Sequence, residues 1–177
     1  MSSFGKVLRS LVGALQRQSA RVVTSGDRGV RPAQGGLENG RSGEFATVEV
    51  DPASIGKVRM TYVPSTDGDP DPGEVVWTWV PYEERDGRGK DRPVLVVADE
   101  PAGTRLAVQL TSQPHPDSEG YVPIGSGRWD PQRRPSWVNV ERVFRVHPDG
   151  MRREGSAVDK SSYVRVAARL RDLYAWR

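Results

Sequence analysis

Three short runs rich in β-branched and aromatic residues lie close together in the middle of the chain, at residues 74–79 (EVVWTW), 92–98 (RPVLVVA) and 105–110 (RLAVQL). Such runs predict β-strands, and the nearly continuous apolar character of the second run indicates a buried strand. The connections between the runs leave no room for helices, which excludes a parallel sheet of the Rossmann type. The predicted architecture is therefore a small, strongly bent antiparallel sheet or barrel.

Three weaker patterns complete a predicted set of four to six short strands. Residues 58–63 alternate as an edge strand would, and residues 121–124 fit a short strand inside a proline-rich loop. Residues 137–146 also alternate, but the phase slips once near Glu141, which predicts a bulge or a bend.

The last part of the sequence predicts a helix over residues 159–174, with Asp159 as its N-cap. Apolar side chains recur there at helical spacing and form one stripe that can pack on the sheet. The predicted fold class is therefore mainly β, with a C-terminal helix. The stripe consists of Tyr163, Val166, Ala167, Leu170, Leu173 and Tyr174.

The first part of the chain differs in composition from the rest. Residues 1–23 combine apolar side chains at helical spacing with basic ones, and no acidic residue occurs before Asp27. This pattern predicts a basic amphipathic helix that either docks on the domain or binds a membrane or a partner. Residues 24–56 begin with a glycine-rich stretch and are predicted to be a flexible linker, which leaves residues 57–177 as the folded domain.

The sequence contains no cysteine and only two histidines, His115 and His147. Disulfides, thiolate nucleophiles, cysteine-based zinc sites and three-histidine zinc sites are therefore excluded, and we predict no cofactor. No run of about 18 apolar residues is present, so a membrane-spanning helix is not expected. The lack of cysteine fits a cytoplasmic protein.

The formal net charge is only +3, but the charges are unevenly distributed. Residues 1–46 carry 7 basic and 3 acidic side chains, residues 47–119 carry 7 and 14, and residues 120–177 carry 12 and 6. Such asymmetry can steer a charged partner towards one part of the surface.

Two polar residues next to predicted strands are candidates for chemistry. Arg92 begins the buried strand beside Pro93, where its guanidinium can either hold a phosphate with two hydrogen bonds or act as a solubilising gatekeeper. His115 follows Thr111 and Ser112, and it is either an acid or base or an exposed loop residue with no role.

Four segments follow one another in an order that is fairly specific as a set. They are residues 72–77 (PGEVVW), a charged loop, residues 92–97 (RPVLVV) and residues 109–113 (QLTSQ). Together they resemble the MazF/PemK toxin family, which shows a PGDVVWV opening, a glycine-rich loop, RPVLVI and a strand ending in LTSQ. The resemblance covers about residues 71–176 and includes the last predicted strand and the helix.

The resemblance implies an SH3-like barrel with a C-terminal helix, usually assembled as a homodimer. It implies an endoribonuclease that cuts single-stranded RNA without a metal ion, and a cognate antitoxin that blocks the RNA groove. In this family the 2′-hydroxyl attacks the adjacent phosphate, which leaves a cyclic phosphate and a free 5′-hydroxyl.

The resemblance also implies the residues that carry this chemistry. Arg92 would stabilise the charge on phosphorus or act as an acid, and Thr111 would position the scissile phosphate. We add His115 as a candidate base, because it follows the same strand. The candidate RNA-binding residues are Tyr82, Arg88, Lys90, Ser112 and Gln113.

The loop over residues 82–90 departs from the family pattern, because it is acidic and lacks the glutamine of the family's GSEQGG sequence. This departure indicates either a changed RNA preference or a loss of activity. Trp79, just before the loop, is predicted to be a core residue. Two other functions stay open, namely a non-catalytic module that binds RNA or protein on the same barrel, and a membrane-tethered or partner-docked regulator that uses residues 2–23.

Overall fold

The structure is a computed structural model that describes residues 40–65 and 67–177. Within these residues, seven antiparallel strands form one sheet, and an α-helix follows the last strand. The predicted N-terminal helix and the first part of the predicted linker lie outside the described residues. The elements are β1 (Val48–Val50), β2 (Glu74–Pro81), β3 (Gly89–Asp99), β4 (Arg105–Thr111), β5 (Tyr121–Gly125), β6 (Ser136–Val146), β7 (Met151–Ala157) and α1 (Lys160–Tyr174).

The strands are ordered β1-β6-β4-β3-β2-β7, and β5 also pairs with β6. Although three strands separate β1 from β2 in this order, the two are close in space, because the Thr47 and Thr78 hydroxyl oxygens lie 2.7 Å apart. The Thr78 hydroxyl also donates a hydrogen bond of 2.8 Å to the carbonyl of Gly150. The sheet therefore curls on itself, and the predicted class, a strongly bent antiparallel sheet with a C-terminal helix, is confirmed.

The central strand β3 is buried on both faces. Side chains alternate along a strand, so Val94 and Val96 pack into one cluster while Leu95 and Val97 pack into another. The second cluster also contains the buried side chains of α1, so the helix covers that face of the sheet. Burial on two faces explains why the strand reads as a continuous apolar run.

The helix α1 begins as predicted. The Asp159 carboxylate accepts a hydrogen bond of 2.9 Å from the backbone N–H of Ser162, which confirms the N-cap. The prediction for Leu173 is wrong, because this side chain is 40% exposed. The chain turns at Ala175 (φ 55°) and buries Trp176 instead. The buried part of the predicted stripe consists of Tyr163, Val166, Ala167 and Leu170.

The predicted edge strand over residues 58–63 is wrong, although its alternation is real. Val58 and Met60 are buried and Tyr62 is half-buried, as an alternating strand would have them. However, the backbones of Val58 and Met60 both bond to Arg177, which donates to the carbonyl of Val58 at 2.8 Å and accepts from the N–H of Met60 at 2.6 Å, whereas the N–H of Val63 bonds to the carbonyl of Pro72 at 3.0 Å. These isolated bonds do not form the repeated backbone pairing with a neighbouring strand that defines a β-strand.

The later part of the predicted linker belongs to the folded unit. The short strand β1 pairs with β6, and Val50 packs against the core that α1 covers. The part of this segment around β1 is therefore paired with the sheet, and Ile55 packs against the same core. The sequence did not predict this pairing for two reasons. The segment begins with glycines that are typical of a linker, and only a weak alternation over three residues marks β1.

The predicted bulge in β6 is confirmed. Val108 on β4 pairs with Val143, whereas the next residue, Gln109, pairs with Asn139. Residues 140–142 therefore have no partner on β4. The predicted short strand β5 is also confirmed, whereas β7 was not predicted because its sequence, MRREGSA, has no apolar alternation.

Candidate active site

The register of the sheet brings the ends of β3 and β4 together. Val94 on β3 pairs with Gln109 on β4, and the two strands are antiparallel. Arg92 lies two residues before Val94 and Thr111 lies two residues after Gln109, so both reach the same edge and the same face of the sheet. The two residues that the family resemblance singles out are therefore neighbours in space.

A cavity of about 440 Å³, the larger cavity, lies at this edge of the sheet. The start of β3, the end of β4 and the turn that follows β4 all contribute to its wall. Most of the residues predicted from the sequence are brought together here. They are Lys90, Arg92, Thr111, Ser112, Gln113 and His115.

Arg92 is half-buried in the cavity wall. Its guanidinium forms no ion pair or hydrogen bond with any described residue. The adjacent carboxylate of Asp91, which could have neutralised it, is bonded to Arg152 instead. An arginine is protonated at any relevant pH, so Arg92 presents a full positive charge and several N–H donors to a ligand in the cavity.

The turn after β4 holds two further candidates in defined positions. The Thr111 hydroxyl oxygen accepts a hydrogen bond of 3.1 Å from the backbone N–H of Gln113. The imidazole of His115 stacks on the ring of Tyr121, with ring centroids 3.7 Å apart and an angle of 8° between the planes. Tyr121 is in turn held by the side-chain amide of Asn139, which donates to its hydroxyl at 3.2 Å. The position of the His115 ring is therefore fixed by contacts with two residues of the sheet, Tyr121 and Asn139.

A second cavity of about 360 Å³, the smaller cavity, also has Arg92 in its wall. Arg92 and Gln109 line both cavities, and the loop between β2 and β3 contributes Tyr82 and its two glutamates to the smaller one. Tyr82 is thus beside Arg92 but separated from the residues around Thr111.

Some predicted residues lie elsewhere. Arg88 is exposed, bonds to Asp86 at 2.6 Å, and lines neither cavity. This ion pair lowers the pKa of the Asp86 carboxyl, mainly through hydrogen bonds from Arg88. Trp79 is only half-buried, with the Arg41 guanidinium 4.9 Å above its ring, so its assignment to the core is wrong.

The basic C-terminal third contributes little charge to the site. Arg134 lines the larger cavity but is bonded to Asp130 at 2.8 Å. Arg145 forms two hydrogen bonds of 2.6 Å with Glu100 and lines neither cavity. The pKa of Glu100 is lowered mainly by these hydrogen bonds from Arg145.

Trp77 and Arg142 are among the cavity-wall residues that the sequence did not predict as site residues. Trp77 lines the larger cavity, and its buried indole N–H has no hydrogen-bond partner among the described residues. Arg142 lines the smaller cavity. The slip of alternation near Glu141 was the available signal for Arg142, since a bulge redirects the side chains next to it. Nothing in the sequence distinguishes Trp77 from a core tryptophan.

Across residues 40–65 and 67–177, no three histidine or carboxylate side chains are grouped as metal ligands would be. In the same residues, no helix has both the length and the apolar content needed to cross a membrane.

Comparisons with known proteins identify the family. Residues 71–174 match the family described as PemK-like, MazF-like toxin of type II toxin-antitoxin system. The comparison with curated proteins gives no match. Among solved structures, the chain resembles the crystal structure of MazE–MazF (form II) from Deinococcus radiodurans, with 16% identity, 60% of this chain and 96% of that chain covered, and a TM-score of 0.45. Because the family match spans more than half of its length, this chain belongs to the PemK-like, MazF-like toxins of type II toxin-antitoxin systems.

Proposed function

We propose that this toxin is an endoribonuclease that cleaves single-stranded RNA without a metal ion. The observation that carries the proposal is the cavity in which Arg92, with no counter-ion among the described residues, lies beside Thr111. A phosphodiester is the kind of ligand that such a site favours, because a guanidinium can offer two parallel N–H donors to phosphate oxygens.

The proposed reaction is an internal transfer. The 2′-oxygen of the ribose forms a bond to the adjacent phosphorus while the bond from phosphorus to the 5′-oxygen of the next nucleotide breaks. The 2′-hydroxyl gives up its proton to a base, and the 5′-oxygen takes up a proton as it leaves. The products are a 2′,3′-cyclic phosphate and a 5′-hydroxyl, so the step consumes neither water nor an oxidant.

We assign a separate role to each of three cavity residues. Arg92 stabilises the extra negative charge that develops on the phosphate oxygens. The Thr111 hydroxyl already accepts from Gln113, which leaves its own proton to donate to a phosphate oxygen. His115 is the candidate base because its ring is held at the rim of the same cavity.

Residues around Arg92 also suit the rest of a single-stranded RNA. Lys90 can contact a neighbouring phosphate, and the ring of Tyr82 offers a face on which a base can stack. Ser112 and Gln113 supply hydrogen-bonding groups for base edges. We further propose that the toxin acts in the cytoplasm as a homodimer, and that a cognate antitoxin inhibits it by covering this cavity.

The test is cleavage of long single-stranded RNA in EDTA by the full chain. We expect the wild type to cleave and Arg92→Ala to be slower by about 10²–10³-fold, the loss typical of removing a donor to a developing oxyanion. Arg171→Ala is the matched control, since Arg171 is exposed on α1 and lines neither cavity. Binding without cleavage by the wild type would favour the non-catalytic module, and equal rates for wild type and Arg92→Ala would remove Arg92 from the chemistry.

A further inference from the structure

Arg142 lies in the bulge of β6, where the strand lacks a partner on β4. Arg142 lines the smaller cavity, whose wall also contains Gln109 and Arg92. Its side chain is only 11% exposed, so its charge needs a partner inside the protein.

Glu49 of β1 supplies that partner. Its two carboxylate oxygens accept hydrogen bonds from Nε and Nη2 of Arg142, at 3.1 Å and 2.7 Å. Glu49 is 18% exposed, and this two-point pairing fixes the plane of the guanidinium. The guanidinium also lies 5.0 Å from the centroid of the Phe144 ring, which packs beneath it.

The other N–H groups of Arg142 contact two residues that line the smaller cavity, Pro81 and Gln109. Nη2 also donates to the carbonyl of Pro81 at 2.9 Å, which anchors the start of the loop over residues 82–88. Nη1 lies 3.5 Å from the side-chain oxygen of Gln109, which lines both cavities with Arg92. Arg142 therefore connects the loop, β4 and β1 at one point beside Arg92.

Glu49 lies outside the part of the chain that matches the toxin family, which begins at residue 71. Its position depends on β1, where Glu49 pairs with Phe144 of β6. An added strand thus provides the counter-charge for a residue in the wall of the site. If the carboxylate were absent, Arg142 would keep a nearly buried charge with the Pro81 carbonyl, the Gln109 amide and the exposed carboxylate of Glu83, which lies 4.0 Å from Nη1. It would then turn towards solvent or towards the loop glutamates.

We propose that Glu49 and Arg142 are positioning residues of the active site, through which the segment before the family domain sets the loop over residues 82–88 and the Gln109 side chain beside Arg92. This inference rests on the proposed ribonuclease function for its effect on rate. Its effect on the loop is independent of that function.

The test compares Glu49→Gln, which keeps the shape but removes the charge, with the wild type. We expect kcat for RNA cleavage to fall by about 10-fold to 100-fold, because small displacements of positioning groups have effects of this size. We also expect faster hydrogen exchange at the amides of Tyr82 and Arg85, which bond within the loop, and unchanged exchange in β3. Arg142→Lys, which keeps the charge but loses the planar fork, should give the same pattern.

The matched control is Glu100→Gln, which breaks the other two-point pair on β6, between Glu100 and Arg145, away from both cavities. A merely structural role for Glu49 predicts the same small loss of stability and the same rate in both variants. That result, or unchanged loop exchange in Glu49→Gln, would overturn the proposal. If the wild type does not cleave RNA, the proposed function fails, and the exchange measurement still decides whether Glu49 positions the loop.

Discussion

At the scale of single residues, the two arginines of the smaller cavity differ in how their charges are compensated. Arg142 is matched by Glu49, whereas Arg92 has no counter-ion among the described residues. An anionic ligand therefore gains most from Arg92, since binding there displaces no existing ion pair. This difference is why we propose a phosphate-binding role for Arg92 and a positioning role for Arg142.

Thr111 gives a direct test of hydroxyl chemistry at the site. Thr111→Val keeps the size of the side chain but removes the donor to the phosphate, so we expect cleavage to slow by about 10-fold to 100-fold, corresponding to about 1.5–3 kcal/mol for a hydrogen bond to a charged group. Thr111→Ser is the control and should retain most of the rate. Equal rates for the valine variant and the wild type would exclude a role for the hydroxyl.

The strand pattern predicted Arg92 as a candidate, whereas Thr111 was predicted only through the resemblance to the toxin family. The two residues flank the apolar parts of β3 and β4, and the antiparallel register of these strands makes them neighbours. Arg142 and Glu49 were missed because they meet through a bulge in one strand and a three-residue strand far away in the sequence. Such a contact leaves no periodic signal.

At the scale of elements, the start of α1 depends on one carboxylate. Asp159 accepts hydrogen bonds from the hydroxyl of Ser161 and from the hydroxyl and N–H of Ser162. These bonds stabilise the charged form and hold the pKa of Asp159 far below its usual range, with the Ser161 hydroxyl as the largest cause. The cap is therefore strongest while Asp159 is ionised.

We expect Asp159→Ala to lower the free energy of unfolding by about 0.5–2 kcal/mol at pH 7, as loss of an N-cap does. Because the folded-state pKa is lowered, this contribution is complete above the unfolded-state pKa of about 3.9 and is lost as the pH falls further. Urea unfolding at pH 7 and pH 3 measures it, and the difference between wild type and variant should shrink at pH 3.

The control for this prediction is Asp172→Asn, at the exposed far end of the same helix. A negative charge there opposes the helix dipole, so its removal should leave stability unchanged or slightly raised. A pH-independent difference for Asp159→Ala would show that the capping charge is not the cause.

At the scale of the whole molecule, residues 58–62 join the C-terminal region to the sheet. The Tyr62 hydroxyl donates to the carbonyl of Val158 at 2.8 Å, and the Tyr163 hydroxyl lies 2.7 Å from the carbonyl oxygen of Val97. Burial raises the pKa of Tyr163, so its hydroxyl stays protonated as a donor. Together with the bonds to Arg177, these contacts hold residues 58–62 and the C-terminal residues over the side of the sheet that α1 covers.

The alternation in the sequence predicted which side chains of residues 58–62 are buried. It did not predict their hydrogen-bond partners, because pairing with a single residue leaves no periodic pattern in the sequence.

Trp176 is the largest apolar side chain in this closure and is 2% exposed. We expect Trp176→Ala to cost about 3–5 kcal/mol in the free energy of unfolding and to speed hydrogen exchange at the amide of Met60. Leu173→Ala is the control, since its exposed side chain should change stability by less than about 1 kcal/mol. If the two variants lost the same free energy of unfolding, the buried Trp176 side chain would not be what stabilises this part of the domain.

The pairing of Val58 and Met60 with Arg177 also bears on synthesis. A ribosome adds about 5–20 residues per second, so the buried side chains of Val58 and Met60 emerge on the order of ten seconds before their backbone partner does. Because β2 to β7 and α1 all follow residue 60 in the chain, Val58 and Met60 have no completed sheet and no helix to pack against until late in synthesis. The toxin therefore reaches its closed form only after translation has passed Arg177, and a chaperone or a partner that binds apolar surface has its best opportunity before then.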